Sequence, residues 1–166
     1  IYTFWEYSGS IRSVALSPIT PSTSKHGRIL ATGNFDHTVK LWHLETRELI
    51  DTLTGHSGAV SAIAFSPLSS TQGKILASAG ADGLIKIWDW ERRNLLQTFS
   101  GDLGSISAIA FSPDGQLLAS GSSDKTIKLW HLTTGERIAI FRGHAGAVTS
   151  VIISPDGETL ISGSAD

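Results

Sequence analysis

The chain of 166 residues has no cysteine and no long hydrophobic run. The lack of cysteine excludes disulfides and thiolate metal sites and suits a reducing compartment, so we expect a cytoplasmic location. No apolar run approaches the roughly 18 residues of a membrane-spanning helix, and no segment resembles a signal sequence. Thirteen Lys and Arg against 15 Asp and Glu leave a formal charge of −2, so the positive field that attracts nucleic acid is missing. We therefore expect neither nucleic acid nor a membrane as a partner.

Familiar catalytic and metal-binding motifs are also missing from the sequence. The six histidines show no HExxH spacing and no close pairing. No GxxxxGK[ST] phosphate-binding loop is present. We accordingly expect no metal site and no cofactor.

Internal repetition is the strongest signal that the sequence does contain. A segment ending in Ser-Pro occurs four times, as "SVALSP" (13–18), "AIAFSP" (62–67), "AIAFSP" (108–113) and "SVIISP" (150–155). Each copy precedes a block ending in Asp: "ILATGNFD" (29–36), "ILASAGAD" (75–82), "LLASGSSD" (117–124) and "LISGSAD" (160–166). Three copies continue to a block with Trp: "HTVKLWHL" (37–44), "GLIKIWDW" (83–90) and "KTIKLWHL" (125–132). One repeat of about 42 residues remains when insertions in a single loop, at 19–27 and 68–73, are set aside.

The repeated segments are short, rich in Val, Ile, Phe and Trp, and without a helical period, which predicts four strands per unit. The turns Pro113-Asp114-Gly115 and Pro155-Asp156-Gly157 predict antiparallel hairpins, because each Gly supplies a positive φ. Strands that are apolar on both faces predict that each sheet packs between others. A lysine recurs two residues before each Trp, and we expect this row to be solvated: Lys40, Lys86 and Lys128.

The sequence resembles the WD-repeat β-propeller family. The resemblance rests on Gly55-His56 with Trp88-Asp89 in the second unit and on Gly143-His144 in the last unit. The Ser-Pro-Asp-Gly segments of the repeats are similar to those of bacterial WD-repeat arrays. The resemblance implies an all-β propeller of four-stranded antiparallel blades, with about three and three-quarter blades in an incomplete ring. The expected blades are 1–5 (the last strand of a preceding blade), 10–54, 59–100, 105–142 and 147–166. Because the last unit stops before its third strand, we expect a fragment of a longer propeller.

The resemblance also implies one hydrogen-bonded set of Ser or Thr, His, Asp and Trp in each blade. Buried polar groups of this kind must satisfy one another once water is excluded. The expected members are His56, Ser78, Asp82 and Trp88; Thr32, Asp36 and Trp42, with Tyr7 in the His position; Ser120, Asp124 and Trp130; and His144, Ser162 and Asp166. In the third unit Asp102 replaces His, and two neighbouring carboxylates, Asp102 and Asp124, would repel each other. We therefore expect the third set to be incomplete.

A Ser, a His and an Asp in one unit could also form a hydrolase triad. A nucleophilic site needs one exposed Ser in a cleft beside an oxyanion hole. This set instead recurs in each repeat and tolerates loss of its His. We therefore favour a structural role and expect no enzymatic activity.

A propeller's top face is built by the loops that enter the first strand and leave the second, and members of the family commonly bind proteins or peptides there. The candidate partner-binding residues on that face are Tyr7, Ser10, Arg12, Phe35, Ser57, Ser61, Ala81, Leu103, Ser107, Ser123 and Thr149. Arg12 and Phe35 differ from the small residues at the same positions of the other units. An exposed aromatic beside an Arg would suit a partner anchor, although both side chains would also suit packing within the blade.

We therefore expect a non-catalytic protein-interaction scaffold or sensor module with protein or peptide partners. One alternative is a hydrolase-like enzyme borne on a propeller. Another is a regulatory domain of a larger kinase or nucleotide hydrolase whose chemistry lies outside this segment. Because terminal sheets of an open ring expose apolar faces, we also expect self-association through them or incomplete stability.

Overall fold

The computed structural model describes residues 9–18, 27–67, 74–100 and 104–166. Within these residues the regular structure consists of strands alone. No helix in these segments is long and apolar enough to cross a membrane. The strands are β1 (Ile11–Leu16), β2 (Ile29–Asn34), β3 (Val39–His43), β4 (Leu49–Leu53), β5 (Val60–Phe65), β6 (Ile75–Gly80), β7 (Ile85–Asp89), β8 (Asn94–Phe99), β9 (Ile106–Phe111), β10 (Leu117–Ser122), β11 (Ile127–His131), β12 (Arg137–Phe141), β13 (Val148–Ile153) and β14 (Leu160–Ser164).

The strands form one antiparallel sheet for each sequence repeat. Three sheets contain four strands each, in the orders β1-β2-β3-β4, β5-β6-β7-β8 and β9-β10-β11-β12, and the fourth described sheet pairs β13 with β14. Neighbours in each sheet are also neighbours in sequence, and short turns connect the first two strands of the third and fourth sheets. The turn glycines Gly115 and Gly157 have φ values of 69° and 79°. This confirms the prediction from the two Pro-Asp-Gly turns.

One hydrophobic cluster lies between each pair of consecutive sheets. The cluster between the first and second sheets includes Leu41 and Val60, and the next includes Ile87 and Ile106. The cluster between the third and fourth sheets includes Ala119 and Val151. Each sheet is therefore held by the hydrophobic effect acting across its broad faces.

The sheets pack in the same way at every interface. The first strand of a sheet lies against the first and second strands of the preceding sheet, as β5 does against β1 and β2. The second strand is consequently the most enclosed, and all six residues of β6 are buried. An all-β architecture of antiparallel four-stranded blades, predicted from the repeats, is confirmed.

The expectation of a solvated lysine row is wrong. Lys86 and Lys128 are buried, and the side chain of Lys40 is mostly covered. These lysines lie on the inner strands β3, β7 and β11, and their amines turn to polar groups of their own sheets: Asp36, Thr98 and Asp124. Their amines are satisfied inside the structure, as described below.

Candidate functional site

The second sheet brings together all four polar residues predicted for its set. His56 precedes β5, Ser78 lies on β6, Asp82 lies in the following turn and Trp88 lies on β7. His56 Nδ1 is 2.8 Å from Asp82 Oδ2, and His56 Nε2 is 2.8 Å from Ser78 Oγ. The indole N–H of Trp88 donates to the same Ser78 Oγ at 2.8 Å. The Ser78 hydroxyl thus joins β6 and β7 to the loop of His56, and the His56 ring continues the connection to the turn of Asp82.

The ionisation of this set follows from its burial. Burial lowers the pKa of His56 and outweighs the opposing effect of its hydrogen bond to Asp82. Burial alone would raise the pKa of Asp82, but the bonds from His56 and the backbone N–H groups of Ser57 and Leu84 hold it below its ordinary value. His56 is therefore neutral at pH 7, donates from Nδ1 to the carboxylate, and accepts at Nε2 from Ser78.

The same geometry bears on the hydrolase alternative. Ser78 is fully buried. Its O–H donates to His56 Nε2 and its oxygen accepts from the Trp88 N–H, so both the proton and a lone pair are engaged. A nucleophilic serine must instead reach a substrate carbonyl. In this conformation Ser78 joins strands and cannot attack an external substrate.

The fourth sheet contains a more open copy of this arrangement. His144 Nδ1 is 3.1 Å from Asp166 Oδ2, and His144 Nε2 is 2.9 Å from Ser162 Oγ. Hydrogen bonds lower the pKa of Asp166 to about 2; the bond from the backbone N–H of Ala145 has the larger effect and the bond from His144 the next. The His144 and Asp166 side chains are 28% and 31% exposed, against 1% and 4% for His56 and Asp82. Water therefore competes for these bonds in the fourth sheet but not in the second.

In the first and third sheets the Trp keeps its hydroxyl partner. Trp42 donates to Thr32 Oγ1 at 3.2 Å, and Trp130 donates to Ser120 Oγ at 2.9 Å. Tyr7, predicted for the His position of the first sheet, and Asp102, its counterpart in the third, lie outside the described residues. The aspartates of these two sheets, Asp36 and Asp124, face lysines instead.

Lys128 is the charge partner of Asp124. Its Nζ lies 2.6 Å from Asp124 Oδ2 and 2.6 Å from Thr126 Oγ1, and Thr126 also bonds the carboxylate. Burial alone would raise the pKa of Asp124, but the bonds from Lys128 and Thr126 lower it to about 2. Lys40 Nζ similarly lies 3.9 Å from Asp36 Oδ2.

The second sheet differs because the aspartate there, Asp82, is already hydrogen-bonded to His56. There the equivalent lysine, Lys86, donates to Thr98 Oγ1 at 3.3 Å. A carboxylate that is removed from water needs a hydrogen-bond donor or a cation. That partner is His56 for the buried Asp82 and Lys128 for the mostly covered Asp124. The signal for this exchange was present in the sequence, since the lysine recurs at a fixed distance from each Asp and Trp.

Arg12 and Phe35, two of the predicted face residues, are in direct side-chain contact. The Arg12 guanidinium carbon lies 5.3 Å from the centroid of the Phe35 ring, which is a cation–π geometry. Arg12 is exposed, and the Phe35 side chain is exposed by 55%. The backbone N–H of Phe35 donates to Ser10 O at 2.9 Å, so Ser10 lies beside them. These three residues form what we call the Arg12–Phe35 patch.

The other predicted face residues are distributed over the second, third and fourth sheets. Ser57, Ala81, Ser123 and Thr149 are exposed, whereas Ser107 is half-buried. Ser61 is also half-buried, and its hydroxyl donates to Ile106 O at 2.6 Å, across the interface between sheets. Tyr7 and Leu103 lie outside the described residues. The described segments bring together no group of three His, Asp or Glu side chains that could hold a metal ion.

Four repeats, each folded as an antiparallel sheet stacked face to face on the next, define the class of β-propeller repeat proteins. The family model "WD domain, G-beta repeat" matches residues 1–43, 47–89, 93–131 and 135–166. The chain belongs to the WD-repeat family.

Individual relatives match the chain over shorter stretches. It is 45% identical over 56 residues to the nuclear distribution protein PAC1 of Coprinopsis cinerea, covering 34% of this chain and 13% of that protein. It is 41% identical over 61 residues to the U3 snoRNP-associated protein-like EMB2271 of Arabidopsis thaliana, covering 37% and 12%. It is 31% identical over 72 residues to the pre-mRNA-processing factor 19 of Mus musculus, covering 37% and 14%. The chain thus matches only a small part of each relative's length.

Proposed function

We propose that this chain is a non-catalytic protein-interaction scaffold that binds a protein or peptide through the Arg12–Phe35 patch. The observation that carries the proposal is the exposed Arg12 guanidinium lying over the exposed Phe35 ring. WD-repeat proteins generally act as scaffolds, and the names of the relatives, among them an snoRNP-associated protein and a coatomer subunit, support this role.

The patch has the chemistry of a binding hot spot. Arg and aromatic residues are enriched at the energetic centres of interfaces because they combine large apolar area with directed hydrogen bonding. Stacking on Phe35 restricts the Arg12 side chain before a partner arrives, which reduces the entropy lost on binding. The N–H groups of a guanidinium suit a carboxylate or a main-chain carbonyl of a peptide.

The support beneath the patch is rigid. Phe35 follows β2, which is almost entirely buried, and Ser10 O anchors its backbone N–H. Ser13 Oγ on β1 accepts a hydrogen bond from Ile63 N at 3.1 Å, which ties β1 to the next sheet. A side chain mounted on such a scaffold keeps its position in the absence of a partner.

The test is to select peptides that bind the chain from a displayed library and measure their affinity for variants by calorimetry. We expect Arg12→Ala and Phe35→Ala each to weaken binding about 30-fold, as loss of a hot-spot side chain does. Arg92→Ala and Phe141→Ala are the matched controls, because both side chains are exposed away from the patch. If the patch variants bind as tightly as the controls, the proposal is wrong.

Three finer points belong to the same proposal. We expect the scaffold to work in the cytoplasm and to be joined to further domains, such as a kinase or nucleotide hydrolase. We also expect its terminal sheets to self-associate. The first two are tested by fractionating cells that produce the protein and by sequencing the gene around this segment.

A further inference from the structure

The exposed Arg12 guanidinium has no acidic partner among the residues that the structure describes. Within those residues its side chain contacts the Phe35 ring, 5.3 Å from the guanidinium carbon. Arg92, by contrast, lies 3.3 Å from Asp89 Oδ2. Stacking on a ring uses the flat face of a guanidinium and leaves the N–H groups along its edge available to an acceptor. Arg12 therefore offers a positive charge and several donors to a molecule from outside.

The aspartate beside the patch in sequence is already bonded within its own turn. Asp36 Oδ1 accepts from the backbone N–H of Thr38 at 3.1 Å and from its hydroxyl at 2.6 Å. The other oxygen, Oδ2, faces Lys40. The corresponding aspartates of the next two sheets, Asp82 and Asp124, are likewise bonded within their own sheets. These three carboxylates therefore do not compensate the guanidinium of the patch.

The third sheet carries a second exposed cation in the same turn of the repeat. Lys125 lies between β10 and β11 as His37 lies between β2 and β3, and their φ values are 71° and 70°. Lys125 is exposed, and within the described segments no carboxylate pairs with it. Phe35 belongs to the same turn as His37. Lys125 and the Arg12–Phe35 patch therefore lie at the same end of their sheets, two sheets apart.

This end of the sheets is open even where a sheet packs on either side. The second sheet packs against the first and the third, and the third packs against the second and the fourth. Ala81 and Ser123, which have the position of Phe35 in these two sheets, are both exposed. Ser57 is exposed as well, and its backbone N–H bonds to the turn of Ala81. The second sheet thus presents small uncharged side chains between the patch and Lys125.

We propose that the partner of the Arg12–Phe35 patch is an extended acidic peptide whose carboxylates reach Arg12 and Lys125. The acidic partner rests on the function proposed above, because it names the kind of peptide that the same patch binds. Packed sheets lie about 10 Å apart, so two steps separate the cations by roughly 20 Å. An extended peptide rises about 3.3 Å per residue, so its two acidic residues are about six positions apart.

Charge favours a carboxylate over a main-chain carbonyl at Arg12. A carboxylate can accept two parallel N–H groups of one guanidinium, and hydrogen bonds between charged groups are stronger than those between neutral ones. Two cations without acidic partners on one face also attract an acidic chain and repel a basic one.

The first test uses the peptides that the 166-residue chain selects from the displayed library. We expect them to carry two Asp or Glu residues about six positions apart. Replacing one of these acids in the tightest peptide by its amide should weaken binding to the parent chain about 10-fold and binding to Arg12→Ala hardly at all. Replacing the other should show the same dependence on Lys125→Ala at about 3-fold, because an exposed lysine forms a weaker ion pair.

Arg92→Ala is the matched control for both cations. Arg92 lies in the turn between β7 and β8, at the opposite end of its sheet, and its side chain is 83% exposed. Both losses should persist in full in this variant. Selected peptides without acidic residues, or full losses in Arg12→Ala and Lys125→Ala, overturn the acidic partner. The proposed function fails separately, when Arg12→Ala and Phe35→Ala bind the selected peptides as tightly as Arg92→Ala does.

The second test reverses the charges and changes the spacing. Arg12→Glu should bind the acidic peptide about 100-fold more weakly, and should bind a peptide with Lys in place of the acid that faces position 12 more tightly than the parent chain does. A peptide of the same composition with its two acids adjacent should bind the parent chain about 3-fold more weakly, because it reaches one cation only. Equal binding of the two arrangements shows attraction to any acidic chain and overturns the spaced contact. Unchanged affinity of Arg12→Glu for the acidic peptide overturns the carboxylate at Arg12.

Discussion

Replacing Ser78 by Ala tests the structural role of the polar set in the second sheet. The change removes one oxygen and creates almost no cavity, so its effect comes from the lost hydrogen bonds. His56 Nε2 and the Trp88 N–H both lose their partner, and both side chains are buried. Leaving a buried polar group unsatisfied costs about 1–3 kcal/mol, so we expect about 2–6 kcal/mol of destabilisation.

The matched variant is Ser162→Ala in the fourth sheet. Ser162 Oγ also bonds a histidine, but the His144 side chain is 28% exposed. Water can replace the lost partner there, so we expect a loss under about 1 kcal/mol. The two variants differ in burial while sharing the same chemical change.

The assay is urea unfolding of the two variants and the parent chain at one protein concentration, followed by tryptophan fluorescence. With a slope near 2 kcal/mol/M, Ser78→Ala should lower the midpoint by about 1–3 M. A double-mutant cycle with Trp88→Phe should show strong coupling, because both changes remove the same bond. Equal midpoints for Ser78→Ala and Ser162→Ala would refute the reasoning that burial makes this set structural.

Three further predictions concern charge and packing between the sheets. Lys128→Met should destabilise the chain by about 3 kcal/mol, because Asp124 then keeps a mostly covered charge without its ammonium partner. Adding Asp124→Asn should recover most of that loss. Midpoints of urea unfolding check both changes, and a single variant as stable as the parent chain contradicts the prediction. Because the pKa of Asp124 is lowered to about 2 in the folded chain, its contribution to stability should be present above about pH 4 and disappear as pH falls towards 2. An acid-unfolding profile that is the same with and without Lys128→Met argues against that pairing. Gly33→Ala should lower the stability by about 1–3 kcal/mol, since the new Cβ would lie 2.9 Å from Val60 Cγ1. In Gly163→Ala the new Cβ meets the Ser150 hydroxyl, which can move, so the loss of stability should be smaller. Equal shifts in the melting temperature of the two variants contradict this.

The repeat pattern was sufficient to predict the sheets. Ser-Pro, the block ending in Asp and the block with Trp recur with strand-like composition, and the structure forms one antiparallel sheet for each unit. A local pattern works here because neighbouring strands in each sheet are also neighbours in the chain.

The lysines were mispredicted because their environment depends on tertiary packing. A charged residue that recurs on a strand usually marks a solvated row, but β7 and β11 have a strand on either side and other sheets against them. The long side chain of Lys128 reaches the aspartate of its own turn, Asp124. The constant spacing between Asp and Lys is visible in the sequence, but only the fold shows that it brings the two charged groups together in a covered position.

The patch was predicted from the contrast between units. Arg12 and Phe35 stood out because other repeats have small residues at their positions, and the structure places the two side chains in contact. That they bind a partner stays a prediction, since exposure and contact describe a surface without identifying its ligand.

Photocrosslinking from position 35 tests the central claim most directly. Phe35 is replaced by a benzophenone-bearing phenylalanine, and the chain is irradiated with the peptide that it selects from the library. We expect a covalent adduct from position 35, suppressed by excess parent chain but not by Arg12→Ala, and none from the exposed control position Phe141. Equal adducts from both positions, or competition by Arg12→Ala as strong as by the parent chain, would contradict a binding role for the Arg12–Phe35 patch.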